Sequence, residues 1–235
     1  MEGARPALTP MGRDTPLLFD PPSDVLLRLY DGLLSAYGEQ PWWPADTPFE
    51  VVVGAVLTQN AAWTNVEKAI DRLKARGLLS LRAILDCESA ALADAIRPSG
   101  YFNVKATRLR AVCEFLHAQG GLEVFASWGQ DAQRAALLGV KGIGPETADD
   151  ILLYALDRPV FVIDAYTRRL LQRHGLVAGG ETYEALRGGF ERALPADVHL
   201  YQQYHALIVM HAKHVCRKSP LCARCALAAT CPGAG

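Results

Sequence analysis

The sequence predicts an all-α protein, on three observations. Apolar residues recur at helical spacing in segment after segment of the 235 residues,. The connections between these segments are short and carry Gly or Pro where helices start and stop. Strand character is confined to Val160-Phe161-Val162-Ile163, a run too short and too isolated to build a sheet.

Taken in order, residues Met1 to Pro22 are proline-rich and aperiodic and are expected to form a flexible tail,. Ser23–Tyr37 puts Val25, Leu26, Leu29, Leu33 and Leu34 on one helical face, with Gly38 closing it,. Pro41-Trp42-Trp43-Pro44 is too restricted by its prolines for a helix,. Thr47 as cap and Pro48 as first residue start a helix to Thr58 that is apolar nearly all round, so it belongs at the centre of the fold,. Thr58-Gln59-Asn60 ends it with polar side chains suited to a surface or cleft. Thr64 is expected to cap Asn65–Arg76. Ser80–Cys87 and Glu88–Ile96 follow as short helices, the second stopped by Pro98. Asn103 is expected to cap Val104–Gln119, which Gly120-Gly121 ends; Trp128 reads as core. Gln130–Leu138, Ala165–His174, Glu181–Leu194 and Asp197–Lys213 complete the series.

Half of the residues are hydrophobic, enough for a real core, and the net charge of −1 does not fit a protein that coats nucleic acid,. The charge is nevertheless segregated. No acid follows Val198, while Lys213, Arg217, Lys218 and Arg224 lie close together; Arg97, Lys105, Arg108 and Arg110 form a second basic set. No apolar run approaches the roughly 20 residues of a membrane span, and the N-terminus has no signal-like apolar region, so an intracellular protein is expected. Cys87 and Cys113 read as small buried apolar side chains.

Chemistry concentrates in Leu137–Arg169. Gly139, Gly142 and Gly144 punctuate a turn, and Pro145 opens the next helix with its free N–H groups pointing outward,. Such a hairpin can hold an anion, and a chain of anions means a phosphodiester backbone. Lys141, Gly142, Ile143 and Gly144 are the candidate contacts. Asp164 falls at the N-cap of Ala165–His174 and, on position alone, is a plain cap. Four cysteines, Cys216, Cys222, Cys225 and Cys231, follow the pattern C-x5-C-x2-C-x5-C. A set of four thiolates suits zinc or an iron–sulfur cluster. One compact loop around a single C-x2-C favours a [4Fe–4S] cluster over zinc, and either over disulfides. It would hold Arg217 and Lys218 out toward phosphates. Trp42, Trp43 and Trp63 bracket the central helix. Any one could be core, but the three together suit stacking on a base turned out of its helix.

Two of these stretches resemble a known family. Gly142-Ile143-Gly144 and Val162-Ile163-Asp164 are similar to the helix-hairpin-helix and catalytic-aspartate segment of the endonuclease III superfamily of DNA glycosylases. The cysteine spacing is similar to that family's terminal [4Fe–4S] loop, with the first gap one residue shorter. PWWPADTPFEVVVGAVLTQNAAWTNVEKAI resembles the 3-methyladenine glycosylase branch, and the resemblance spans nearly all of the chain after residue 22.

The resemblance implies a two-lobed fold. Residues 41–158 would form a six-helix barrel with the hairpin, and residues 23–40 plus 159–235 an iron–sulfur helical lobe. The cleft between them would hold Asp164 as the catalytic residue. Trp43, Pro44 and Trp63, with Trp42 beside them, would wall a base pocket. Gln59 or Asn60 would fill the gap left by the flipped nucleotide. Glu146 stands where bifunctional members carry a nucleophilic Lys, so strand cleavage is not expected, and Lys141 is left as a phosphate or solvent contact. Lys213, Tyr166 and His211 could line the cleft; His205, His211 and His214 recur near the cysteines, where helical packing and solvent exposure explain them as well as ligation does. The implied function is a monofunctional base excision repair glycosylase for alkylated purines. It would be a cytoplasmic, nucleoid-associated monomer acting on double-stranded DNA. The alternatives are an endonuclease III-type glycosylase and lyase for oxidised pyrimidines, or a catalytically silent damaged-DNA-binding module.

Overall fold

A computed structural model describes residues 18–234, and every regular element in it is helical. Twelve α-helices are present among the described residues. They are α1 Ser23–Tyr37, α2 Pro48–Leu57, α3 Trp63–Ala75, α4 Leu81–Asp86, α5 Ser89–Ala95 and α6 Phe102–Ala118. Then come α7 Leu122–Ala126, α8 Gln130–Leu138, α9 Pro145–Asp150, α10 Ala165–Arg173, α11 Tyr183–Ala193 and α12 Val198–His214. Helix α9 runs directly into a π-helical turn, Ile151–Ala155.

Helix α2 is the centre of the packing. Its residues from Val51 to Leu57 are all buried, because no face of the helix carries charge beyond Glu50 near its start. It touches α3, α6, α9 and the π turn. Burial of each valine or leucine there contributes about 1.5–3 kcal/mol. The Thr47 hydroxyl accepts from Glu50 N at 3.1 Å and fixes the start of the helix,. Helix α12 packs on α1, α10 and the π turn, and α1 also meets α11.

Val160–Ile163 is fully buried but pairs with no strand among the described residues. Two of its N–H groups are satisfied by side chains and one by backbone: Phe161 N donates to Glu191 Oε1 at 3.0 Å, Ile163 N to the Tyr183 hydroxyl at 3.4 Å, and Val160 N to Arg158 O at 2.8 Å,. Helix α11 thus delivers Asp164 to the start of α10.

Several expectations need correction. Residues 1–17 of the expected flexible tail lie outside the described residues. Phe19 is anchored, packing on Phe190 at 5.7 Å between ring centroids and closing over Gly189. Helix α3 starts at Trp63 with Ala62, not Thr64, at the N-cap. Helix α6 starts at Phe102 after Tyr101 in the left-handed region, so Asn103 lies inside it. The short helix α7 was not anticipated. In the second basic set, Lys105 is 1% exposed and donates to Leu57 O and Ser99 O at 2.8 and 2.6 Å. Arg110 donates to Leu85 O and Cys87 O, and Arg97 pairs with Asp94. Lys105 and Arg110 tie loops together and do not present a phosphate-binding face.

Candidate active site

Asp164 caps α10: its Oδ1 accepts from Thr167 N at 2.7 Å, with the side chain 12% exposed. Its other oxygen, Oδ2, lies 3.6 Å from Nε2 of His205 on α12. On the far side of that ring, His205 Nδ1 and the Tyr154 hydroxyl are 2.7 Å apart, which brings the π turn into the same chain of contacts. Burial raises the Asp164 pKa, but the His205 ring and Thr167 N–H outweigh it, and the carboxyl is held below its ordinary value,. Burial likewise pulls His205 down, yet Asp164, Asp150 and Glu146 reverse the sign and raise it.

Asp164 and His205 border a cavity of about 510 Å³, a size usual for small-molecule sites,. Its lining includes Trp42, Trp43, Trp63, Glu146, Asp150 and Lys213. The three indoles form one aromatic wall. Trp43 and Trp63 are 5.1 Å apart at 85°, and Trp42 lies 6.2 and 6.0 Å from them. A base held between two parallel rings needs roughly 7 Å, twice a van der Waals contact. Trp43 and Trp63 therefore do not enclose a base between them as expected. Pro44 is also displaced from the expected pocket and borders a neighbouring groove with Glu50 and Lys68. Glu146 stays open to the cavity, yet the surrounding walls and then Asp164 raise its pKa.

Lys213 changes the picture drawn from the hairpin alone. Its ammonium lies 5.6 Å from the centre of the Trp42 ring, and desolvation lowers its pKa against the pull of Asp164. An amine does border this cavity, supplied by α12 and not by the hairpin. Tyr166 lines the cavity too, whereas His211 sits among the cysteines.

The hairpin is well formed. Gly142 has φ of +90°, and a Cβ there would overlap the Arg108 side chain, so both conformation and space require glycine,. Lys141 and Gly144 are exposed and Ile143 is buried. Gln59, a candidate wedge, is occupied: it accepts from Arg108 Nη1 at 2.5 Å and donates to Gly142 O and Thr147 Oγ1 at 3.1 and 2.9 Å. Asn60 is the exposed residue of the turn, at φ of +53°.

Cys216, Cys222, Cys225 and Cys231 line one small cavity. Arg173 Nη1 lies 3.0 Å from Cys216 Sγ and His211 Nε2 lies 3.7 Å from Cys225 Sγ. Among the described residues, no three His, Cys, Asp or Glu side chains are grouped tightly enough to hold a single metal ion. Four soft thiol donors around a shared space nonetheless fit the chemistry of an iron–sulfur group. Arg217 and Lys218 project to solvent beside them.

Asp150, Tyr154 and His205 were not anticipated as site residues. A signal existed for two of them. Asp150 is an acid entering the apolar run Ile151–Ala155, and His205, Val209 and Lys213 repeat every four residues on one face of α12,.

Comparison with known proteins agrees with this fold. Residues 53–196 match the HhH-GPD superfamily of base excision DNA repair proteins. A Methanocaldococcus jannaschii protein provisionally named a DNA repair glycosylase is 46% identical over 211 residues, covering 88% of this chain and 96% of that one. Endonuclease III of Escherichia coli is 25% identical over 186 residues, covering 79% and 83%. The structure of an H. pylori 3-methyladenine DNA glycosylase bound to 1,N6-ethenoadenine aligns with a TM-score of 0.72 and 31% identity, over 82% of this chain and 98% of that one. An endonuclease III–DNA complex shares the fold, with a TM-score of 0.78 and 19% identity over 90% and 96%.

Proposed function

The chain belongs to the HhH-GPD superfamily of base excision DNA repair proteins, and on that footing we propose that it is a monofunctional DNA glycosylase that hydrolyses the N-glycosidic bond of alkylated purines. One observation carries the reading: a carboxylate kept ionised opens on a cavity walled by indole rings. Alkylation at N3 of adenine or N7 of guanine places positive charge on the base and weakens its bond to the sugar. Electron-rich indoles favour such a cation by cation–π attraction. Asp164 then stabilises the developing oxocarbenium ion or orients water at C1′, with its charge in place before the reaction starts. The likeness to a 3-methyladenine glycosylase of known structure supports the same substrate class.

In this reading the exposed hairpin around Lys141, Gly142 and Gly144 grips the backbone, with Arg217 and Lys218 as further phosphate contacts. Asn60 fills the space of the flipped nucleotide, while Gln59 anchors the turn that carries it. Cys216, Cys222, Cys225 and Cys231 hold a [4Fe–4S] cluster that shapes the terminal loop. No described helix is long and apolar enough to cross a membrane.

Lys213 favours a second reading. An amine of lowered pKa beside Asp164 is the group a Schiff base at C1′ would need, and strand cleavage would follow,. A duplex carrying one 3-methyladenine or 7-methylguanine separates the two. The first reading expects free base and an intact abasic strand, with no protein trapped by borohydride. A borohydride-trapped adduct lost in Lys213→Ala would favour the second.

A further inference from the structure

The cavity holds more polar chemistry than a charged leaving base requires. Asp150 and His205 are 7% and 5% exposed, and both line it. Asp150 Oδ1 has no hydrogen-bond partner, and His205 Nε2 has only Asp164 Oδ2 nearby, at 3.6 Å and beyond hydrogen-bond distance. The indole nitrogens of Trp42 and Trp43, in the same lining, are unpartnered as well. Unpaired buried polar atoms are rare in folded proteins, and Asp150 Oδ1 and two indole nitrogens around one cavity point to a ligand that completes them,.

A purine without a formal charge leaves its sugar slowly unless a proton reaches the ring as the bond breaks. On the reading that this cavity receives a flipped purine, we propose that Asp150 is a second catalytic residue, an acid that protonates an uncharged purine adduct. The site would therefore accept two substrate classes: purines already cationic through alkylation, and uncharged purine lesions that need a proton to depart.

The step balances with water alone. The Asp150 proton passes to a ring nitrogen of the base, and the C1′–N9 bond breaks with its electron pair moving to the base. Water adds at C1′, its surplus proton leaves by way of Asp164 or directly to solvent, and Asp150 is reprotonated from solvent.

The surroundings favour the protonated form of this acid. Burial raises the Asp150 pKa well above the usual carboxylate range; His205 opposes this, and Glu146, Asp164 and Asp149 add to it,. Tyr154, which is hydrogen-bonded to His205, together with Lys213 and Tyr166 on the cavity lining and Tyr183 of α11, whose own pKa Asp150 helps to raise, are further titratable groups nearby. Asp164 is held low while Asp150 is held high, so one cavity offers a base-form and an acid-form carboxyl together,.

The test uses two duplexes, one with a single 7-methylguanine and one with a single hypoxanthine, and follows single-turnover base release by wild type and Asp150→Asn. Wild type is expected to release both bases. The substitution should lower the hypoxanthine-to-methylguanine rate ratio by about 100-fold or more, the usual reach of general acid catalysis. In wild type, hypoxanthine release should decline as pH rises through the titration of Asp150, while methylguanine release stays flat there. Release of methylguanine without hypoxanthine, an unchanged ratio in Asp150→Asn, or parallel pH profiles would each overturn the inference and leave the proposed function standing. Release of neither base would sink both.

Discussion

Asp164 is held by two opposing effects, and their balance sets its chemistry. Burial alone would neutralise it, yet His205 and the Thr167 N–H keep it ionised. Because its pKa lies below the ordinary value, the ionised form on which the proposed mechanism relies is already complete at neutral pH. Excision of a methylated purine should stay flat from about pH 6 to 8 and fall only as acid protonates the carboxyl, a profile that single-turnover rates would reveal. Gln59 makes a different kind of contribution. It joins Arg108, Gly142 O and Thr147, three points on two helices and the hairpin. Gln59→Ala should weaken duplex binding about tenfold by loosening the turn that carries Asn60, with little effect on melting temperature; fluorescence anisotropy and a thermal scan would check both.

At the scale of elements, the end of α2 is held by buried polar bonds that a helical pattern does not reveal. Lys105 lies inside the fold, with a pKa lowered to about 8 by burial and by Arg108, and secures Leu57 O to Ser99 O. Lys105→Met would leave both carbonyls buried without donors and should cost about 3 kcal/mol, measurable by urea unfolding. Gly142→Ala combines a positive φ with a Cβ overlapping Arg108 and should reduce DNA affinity while sparing most of the helical content,. The helices themselves were legible because each follows a periodic apolar face and a local start signal: Ser23–Tyr37, Gln130–Leu138 and the Asp164 cap appear as expected. Helices α3 and α6 begin earlier than Thr64 and Asn103 implied, since tertiary contacts of Trp63 and Phe102 with the core outweigh a favourable cap,.

At the scale of the molecule, the site depends on residues brought together from distant parts of the chain. Trp42, Asp150, Asp164 and His205 share one cavity though they span much of the sequence. Asp164 could be found from its local context; the packing of His205 against it could not, because the contact is made by α12 crossing α10. The indole arrangement was likewise hidden, since three nearby tryptophans can form one wall or two. We propose that the two-lobed division places this cavity at the junction, with the cysteine loop packed against the same helix α12 that carries Lys213. Cys225→Ser should then abolish the brown colour of an iron–sulfur protein and weaken DNA binding, which absorbance and anisotropy would register. The most direct test of the central claim is single-turnover release of 7-methylguanine from a defined duplex by wild type and Asp164→Asn. Loss of a preorganised charge should slow release about 100- to 1,000-fold with duplex affinity preserved; an unchanged rate in Asp164→Asn would contradict the account.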